Sequence, residues 1–133
     1  MRKSTLCSYV ICCRRLTCSD NPPLSTLMHS QSEGFRQVID GLKSPMIETQ
    51  LDAVWCCINI TADTNSRYTN KLIELGALKE LKRLISSAHK KLSANAVWVL
   101  SNIAGKLWCF YHHYIILRYM YMYISEYVAA FIS

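Results

Sequence analysis

An eight-residue segment that occurs twice constrains the fold of this chain more than any other feature. Residues 53–60 read AVWCCINI, and residues 96–103, which start 43 positions later, read AVWVLSNI. Three residues ahead of the first copy also recur 42 positions later, and the pairs are Gly34 and Gly76, Leu42 and Leu84, and Ser44 and Ser86. A period of about 40–47 residues indicates stacked helical repeats, in which each unit buries its apolar side against the next.

The repeating region covers residues 33–105, and its apolar spacing predicts five helices. In chain order, the predicted helices cover residues 35–42, 47–62, 66–75, 77–85 and 91–104. Pro45 and Gly76 break the chain between helices, and Gly105 is predicted to end the last helix. Since the complete unit has three helices, the last of which is the longest, the armadillo repeat is favoured over the two-helix HEAT unit. The predicted fold class is all-α, an armadillo-type helical solenoid fragment of about one and a half to two repeats.

Two flanking segments lack this period. Residues 1–32 include Pro22 and Pro23 and are predicted to be irregular. Residues 106–133 form an aromatic tail with six tyrosines. The tail could be a membrane-spanning helix, an aromatic helix packed on the end of the solenoid, or read-through past a splice junction. The last reading is slightly favoured, because the repeat stops right after Gly105. Arg118 and Glu126 argue against the membrane reading.

Composition excludes several function classes. The formal charge is +6, but residues 33–105 hold nine Lys/Arg against seven Asp/Glu, and no basic patch is interleaved with aromatics. This distribution argues against a nucleic-acid partner. The seven cysteines are odd in number and contain no CxxC spacing, so neither a disulfide framework nor a zinc ribbon is indicated. No catalytic, cofactor-binding or metal-binding motif is present in the sequence, which predicts a protein that is not an enzyme and has no cofactor.

The third helix of each unit carries the candidate binding residues. At 100° per residue, the predicted core side holds Ala53, Cys57, Ile60, Ala96, Leu100 and Ile103. The opposite side holds a Trp and an Asn four residues apart in both units, with one more polar residue beside them. These candidate peptide-binding residues are Trp55, Asn59 and Asp52 in the first unit, and Trp98, Asn102 and Asn95 in the second.

Such a Trp/Asn pair is suited to binding an extended basic peptide. An Asn amide can pair with a peptide backbone as both donor and acceptor. Indole rings on successive repeats would form parallel walls that hold the aliphatic stem of Lys or Arg. Repeats stacked about 10 Å apart match about three residues of extended peptide at 3.3 Å each. Alternative readings are packing between repeats for the Trp residues, a helix-surface hydrogen bond for the Asn residues, and a solvated charge for Asp52.

The WxxxN spacing within AVWxLxNIxG resembles the armadillo repeats of the importin-alpha (karyopherin-alpha) family, over residues 34–105. The resemblance implies a nuclear-import adaptor, found in the cytoplasm and nucleus, that binds nuclear localisation signals through Trp55, Asn59, Trp98 and Asn102. It also implies importin beta as a partner of full-length relatives, although their basic N-terminal binding segment is not recognisable in residues 1–32.

Two alternative functions remain open. Lys106 stands where the family has an acidic residue, and Tyr68 where it has a small polar one. These departures and the positive charge of residues 33–105 favour a generic armadillo scaffold with a degraded groove and a different partner. The other alternative is a small protein anchored to a membrane by the aromatic tail.

Overall fold

The computed structural model describes residues 33–64 and 66–132, and the regular structure of this part is α-helical. The helices are α1 (Glu33–Leu42), α2 (Ile47–Ala62), α3 (Ser66–Glu74), α4 (Ala77–Ile85) and α5 (Lys90–Ile132). The all-α architecture predicted from the sequence is therefore confirmed. The N-terminal segment 1–32, predicted to be irregular, lies outside the described residues.

The chain divides into two compact units between Ile103 and Ala104. In the first unit, α1 packs against α2, α3 and α4, and α3 also contacts α2 and α4. Residues 90–103 of α5 complete this unit, so it contains the last two helices of one repeat followed by three helices of the next.

The core of the first unit draws side chains from all five helices. The core residues include Phe35 and Leu42 of α1, Ala53, Val54, Cys57 and Ile60 of α2, Leu72 of α3, Leu81 and Leu84 of α4, and Leu92, Ala96, Val99 and Ile103 of α5. Five of the six residues predicted to face the core are buried, and the sixth, Leu100, is half-buried and packs against the core. The 3.6-residue period places them together because side chains three or four positions apart share one side of a helix.

One polar contact in each repeat joins the third helix to the chain that precedes it. On α2, the Gln50 amide donates at 2.7 Å to the carbonyl of Ser44, in the link after α1. On α5, the Ser93 hydroxyl, 43 residues later, donates at 2.6 Å to the carbonyl of Ile85, the last residue of α4. The two donors are one repeat period apart, whereas the two acceptors differ in their position within the repeat.

Gly76 and Gly105 behave differently, although both were predicted to interrupt helices. Gly76 has a φ of +92°, a left-handed conformation that separates α3 from α4. The prediction that the last helix ends at Gly105 is wrong, because α5 continues through it to Ile132. Glycine costs a helix only about 1 kcal/mol relative to alanine, and no proline or polar turn follows Gly105 to stop the helix.

The second unit contains residues 104–132 of α5. Several large hydrophobic side chains in it are exposed, namely Leu107, Trp108, Tyr111, Tyr114, Leu117 and Met122. The rings of Trp108 and His112 stack with centroids 6.3 Å apart. Among the residues described, no helix combines the length and apolar character needed to cross a membrane.

Candidate functional site

The two predicted tryptophans contact each other across the joint between the repeats. The ring centroids of Trp55 on α2 and Trp98 on α5 lie 6.1 Å apart, with the ring planes at 63°. Trp55 is half-buried against the core, whereas Trp98 is 51% exposed. The edge-to-face arrangement is one that aromatic pairs favour, because the positive edge of one ring meets the negative face of the other.

This geometry differs from the parallel-walled slot predicted from the sequence. A methylene chain between two parallel rings needs about 7–8 Å between them, twice the optimal carbon–carbon contact distance. The rings of Trp55 and Trp98 instead touch at an angle, with 6.1 Å between centroids. A lysine stem therefore has room along the exposed face of Trp98 and not between the rings.

Asn102 also spans the two repeats. Its Nδ2 donates a hydrogen bond of 3.2 Å to the hydroxyl of Thr61 on α2. That hydroxyl donates in turn to the carbonyl of Cys57 at 2.7 Å, so the Thr61 side chain is held in place along its own helix. The side chain of Asn102 is half-buried, and its amide is engaged in a hydrogen bond between the repeats.

The other predicted site residues differ in exposure. Asn59 and Asp52 are half-buried on α2, one turn to either side of Trp55. Asn95 was predicted to lie on the outer side with Trp98, but it is only 9% exposed. Its Nδ2 is buried and has no hydrogen-bond partner among the described residues. Asn95 is three positions before Trp98 and one before the buried Ala96, and this places it at the border of the core.

The cysteines next to this face do not offer a nucleophile. Cys56 and Cys57 on α2 are both buried. Burial raises the pKa of the Cys57 thiol from 9.0 to about 12. The thiol therefore stays protonated at neutral pH, and the thiolate is the form that reacts.

Sequence reasoning missed two residues that join the repeats, Thr61 and Arg83. Arg83 Nη2 donates to the Leu42 carbonyl at 2.8 Å. Neither residue follows the repeat period, because Ala104 stands 43 positions after Thr61 and Gly41 stands 42 positions before Arg83. A contact made by only one copy leaves no periodic signal in the sequence.

Comparisons with known proteins agree with this architecture. Residues 65–105, which cover α3, α4 and the start of α5, match the model of the Armadillo/beta-catenin-like repeat family. The designed armadillo repeat protein YIII(Dq)4CqI has a similar structure, with a TM-score of 0.67 and 27% identity over 77% of this chain and 42% of that one. The fold is a protein-interaction scaffold and is not typical of an enzyme family.

Two curated relatives are plant importins. Importin subunit alpha-6 of Arabidopsis thaliana is 32% identical over 93 residues, and importin subunit alpha-1b of Oryza sativa subsp. japonica is 34% identical over 58 residues. These matches cover 69% and 44% of this chain, which spans 17% and 11% of the lengths of the two relatives. The repeats joined by Trp55 and Trp98 are armadillo repeats of the importin-alpha type.

Proposed function

We propose that this chain is a protein-binding module of the nuclear-import adaptor type, which binds the extended basic segment of a nuclear localisation signal. The observation that carries the proposal is the position of Trp98, which is 51% exposed and in edge-to-face contact with Trp55 of the preceding repeat. A large, half-exposed indole held rigidly at a repeat joint is a good anchor for a ligand, because little side-chain entropy remains to be lost on binding.

The ligand would contact the face around Trp98. The aliphatic stem of a lysine or arginine would lie on the exposed indole, with its charge near the ring. The amides of Asn59 and Asn102 would pair with the peptide backbone, and the carboxylate of Asp52 would attract the basic side chain. A peptide carbonyl that reached Asn95 would satisfy its buried Nδ2, which has no hydrogen-bond partner in the described structure.

This role involves binding without catalysis, and its partner is a cargo protein that carries the basic segment. Such a module would act in the cytoplasm and the nucleus. Importin beta would be a partner of longer relatives through their basic N-terminal segment, which is not recognisable in residues 1–32 of this chain. The chain covers a small part of its curated relatives, so the proposal concerns the local groove and not the activity of a whole adaptor.

A second candidate is an armadillo scaffold that binds another partner. Two observations favour it: the contact between Trp55 and Trp98 closes the slot between the rings, and Asn102 already has a hydrogen bond to Thr61. In that case the groove would no longer accept basic peptides, while the repeats would still form a docking surface.

The test is binding of a fluorescent lysine-rich localisation peptide, measured by fluorescence anisotropy. Trp98→Ala is expected to weaken binding by about tenfold or more, because it removes the exposed anchor. Trp108→Ala makes the same change at an exposed tryptophan of the second unit and should leave binding unchanged.

The role of Asn102 needs its own control, since Asn102→Ala removes a possible peptide contact and also the hydrogen bond to Thr61. Thr61→Val removes the latter, together with the bond from its hydroxyl to the Cys57 carbonyl, and keeps the Asn102 amide. Loss of binding in Asn102→Ala but not in Thr61→Val would support direct recognition of the peptide. If the unaltered chain, shown to be helical by circular dichroism, fails to bind the peptide, the scaffold reading replaces the import proposal.

A further inference from the structure

The last repeat of the first unit has an uncovered surface that is covered in the repeat before it. Val54 on α2 and Val97 on α5 are the same residue at equivalent positions, 43 residues apart. Val54 is fully buried, whereas Val97 is 46% exposed. The residue type is the same, so the difference in exposure comes from what packs against each position.

Four more equivalent pairs change in the same direction. On the third helices, Ala94 and Ser101 are exposed, while their counterparts Leu51 and Ile58 are half-buried and buried. On the second helices, Lys79 and Arg83 are exposed, while Gln37 and Gly41 are buried. We call the exposed set the end face; it consists of Lys79, Arg83, Ala94, Val97 and Ser101.

The counterpart of the end face in the preceding repeat is buried or half-buried, and the second repeat packs beside it. The contacts between the repeats are made by neighbours of the counterpart residues, namely Trp98 against Trp55, Asn102 to Thr61, and Arg83 to the Leu42 carbonyl next to Gly41. α3 also packs on both α1 and α2. The end face repeats the backbone shape of a surface whose occupant in this same molecule is a set of helices, so its shape fits helices.

The charge of the end face distinguishes it from that internal surface. Lys79 and Arg83 replace the neutral Gln37 and Gly41. Glu80 lies 3.1 Å from Arg83 and partly offsets its charge, so Lys79 is the main cation of the face. A second copy that presented the same face would bring like charges together, which disfavours self-association, whereas an acidic partner would be attracted.

We propose that the end face docks a helical segment of another polypeptide, which is apolar where it meets Val97 and acidic where it lies beside Lys79, since the guanidinium of Arg83 is held by the Leu42 carbonyl and by Glu80. The apolar side of the partner helix would cover Val97, which lies between two small residues of α5, Ala94 and Ser101. Lys79 orients the partner. The end face differs from the proposed peptide groove in the charge of its ligand, since it selects acidic and not basic segments.

The test uses the full chain and two synthetic amphipathic helices of about 20 residues, long enough to be helical when bound. Both carry the same Leu/Ala stripe, and their polar sides carry Glu in one and Lys in the other. Fluorescence anisotropy should show binding of the Glu peptide and about tenfold weaker binding of the Lys peptide. Val97→Asp should weaken the Glu peptide about tenfold, and Lys79→Glu should shift preference towards the Lys peptide.

Two matched controls lie on α4, the helix that carries Lys79. Leu78→Asp and Lys82→Glu make the same changes at positions that are exposed in both repeats, since their counterparts Arg36 and Asp40 are exposed as well. The controls should bind like the unaltered chain.

Four results would overturn the proposal. They are no binding of either peptide, equal binding of both, controls as weak as the end-face variants, or a dimer in sedimentation equilibrium that Val97→Asp dissociates. The last result would assign the face to a second copy of this chain. Because Val97 and Lys79 are exposed, circular dichroism should show that all variants remain folded.

Discussion

Arg83 and Leu42 are joined across the two repeats, because the guanidinium Nη2 donates a hydrogen bond of 2.8 Å to the Leu42 carbonyl 41 residues earlier. Leu42 is the last residue of α1, and the carbonyls at the end of a helix have no partner within it. A cation at this end also interacts favourably with the helix dipole. The second repeat thus stabilises the first through a polar contact as well as through the shared core.

Removal of this contact should loosen the repeat joint. Arg83→Met keeps the aliphatic stem but leaves the partly buried carbonyl of Leu42 without its donor. We expect a loss of about 1–2 kcal/mol in the free energy of unfolding, measured by urea denaturation. Lys82→Met, at an exposed position on the same helix, should change the stability by less than about 0.5 kcal/mol. Equal losses in the two variants would contradict a role for the inter-repeat hydrogen bond.

The two equivalent valines provide a second test on stability. Val54→Ala should cost about 1.5–3 kcal/mol, because it removes two buried methyl groups and leaves a cavity. Val97→Ala removes the same atoms from an exposed site and should cost less than about 0.5 kcal/mol. Thermal unfolding followed by circular dichroism measures both. Similar costs would mean that Val97 is covered in solution.

Alanine substitutions at Gly76 and Gly105 test which of the two glycines interrupts a helix. A Cβ at Gly105 would meet no atom within 4 Å, so Gly105→Ala should stabilise the helix by up to about 1 kcal/mol. Gly76→Ala should destabilise the protein by about 1–2 kcal/mol, because a φ of +92° is strained for any residue with a Cβ. Both are measured by thermal unfolding. Destabilisation by Gly105→Ala would instead indicate that Gly105 ends the helix.

Cysteine reactivity should follow burial. At pH 8, iodoacetamide is expected to modify the exposed Cys109 within minutes to hours and to leave the buried Cys56 and Cys57 unmodified. Peptide mapping by mass spectrometry resolves the sites. In urea all three should react, which provides the control for intrinsic reactivity. Rapid modification of Cys57 in the folded protein would show that the joint around α2 opens readily.

The same thiol should make the protein sensitive to alkaline pH. Burial raises the pKa of Cys57 to about 12, so above pH 9 the unfolded chain releases this proton while the folded chain retains it. The folded state therefore binds more protons, and stability falls with rising pH by about 1.4 kcal/mol per unit between pH 9 and 12.

Cys57→Ala should reduce this slope in urea denaturation series, whereas Cys109→Ala should preserve it, because Cys109 is exposed in the folded protein. Equal slopes in all three proteins would show that Cys57 does not retain its proton. Other groups that titrate above pH 9 also contribute to the slope. Their contribution is the same in each protein, so it cancels when the slopes are compared.

Much of the fold follows from local features of the sequence. The bounds of α2 and α4 were predicted from apolar spacing and from Pro45 and Gly76. The core positions of α2 and α5 were predicted from the 3.6-residue period alone. These predictions succeed because helix formation and the choice of a buried side depend on neighbours within a few residues, and the duplicated segment reports the same pattern twice.

The candidate site depended more on tertiary structure. The sequence by itself determined that Trp55 and Trp98 recur on equivalent helices, but their edge-to-face contact was decided by how closely the two repeats approach. The hydrogen bond from Asn102 to Thr61 likewise joins side chains 41 residues apart in the chain. A periodic pattern specifies which side of a helix a residue occupies, whereas distance, ring angle and hydrogen-bond partner are set by packing between helices.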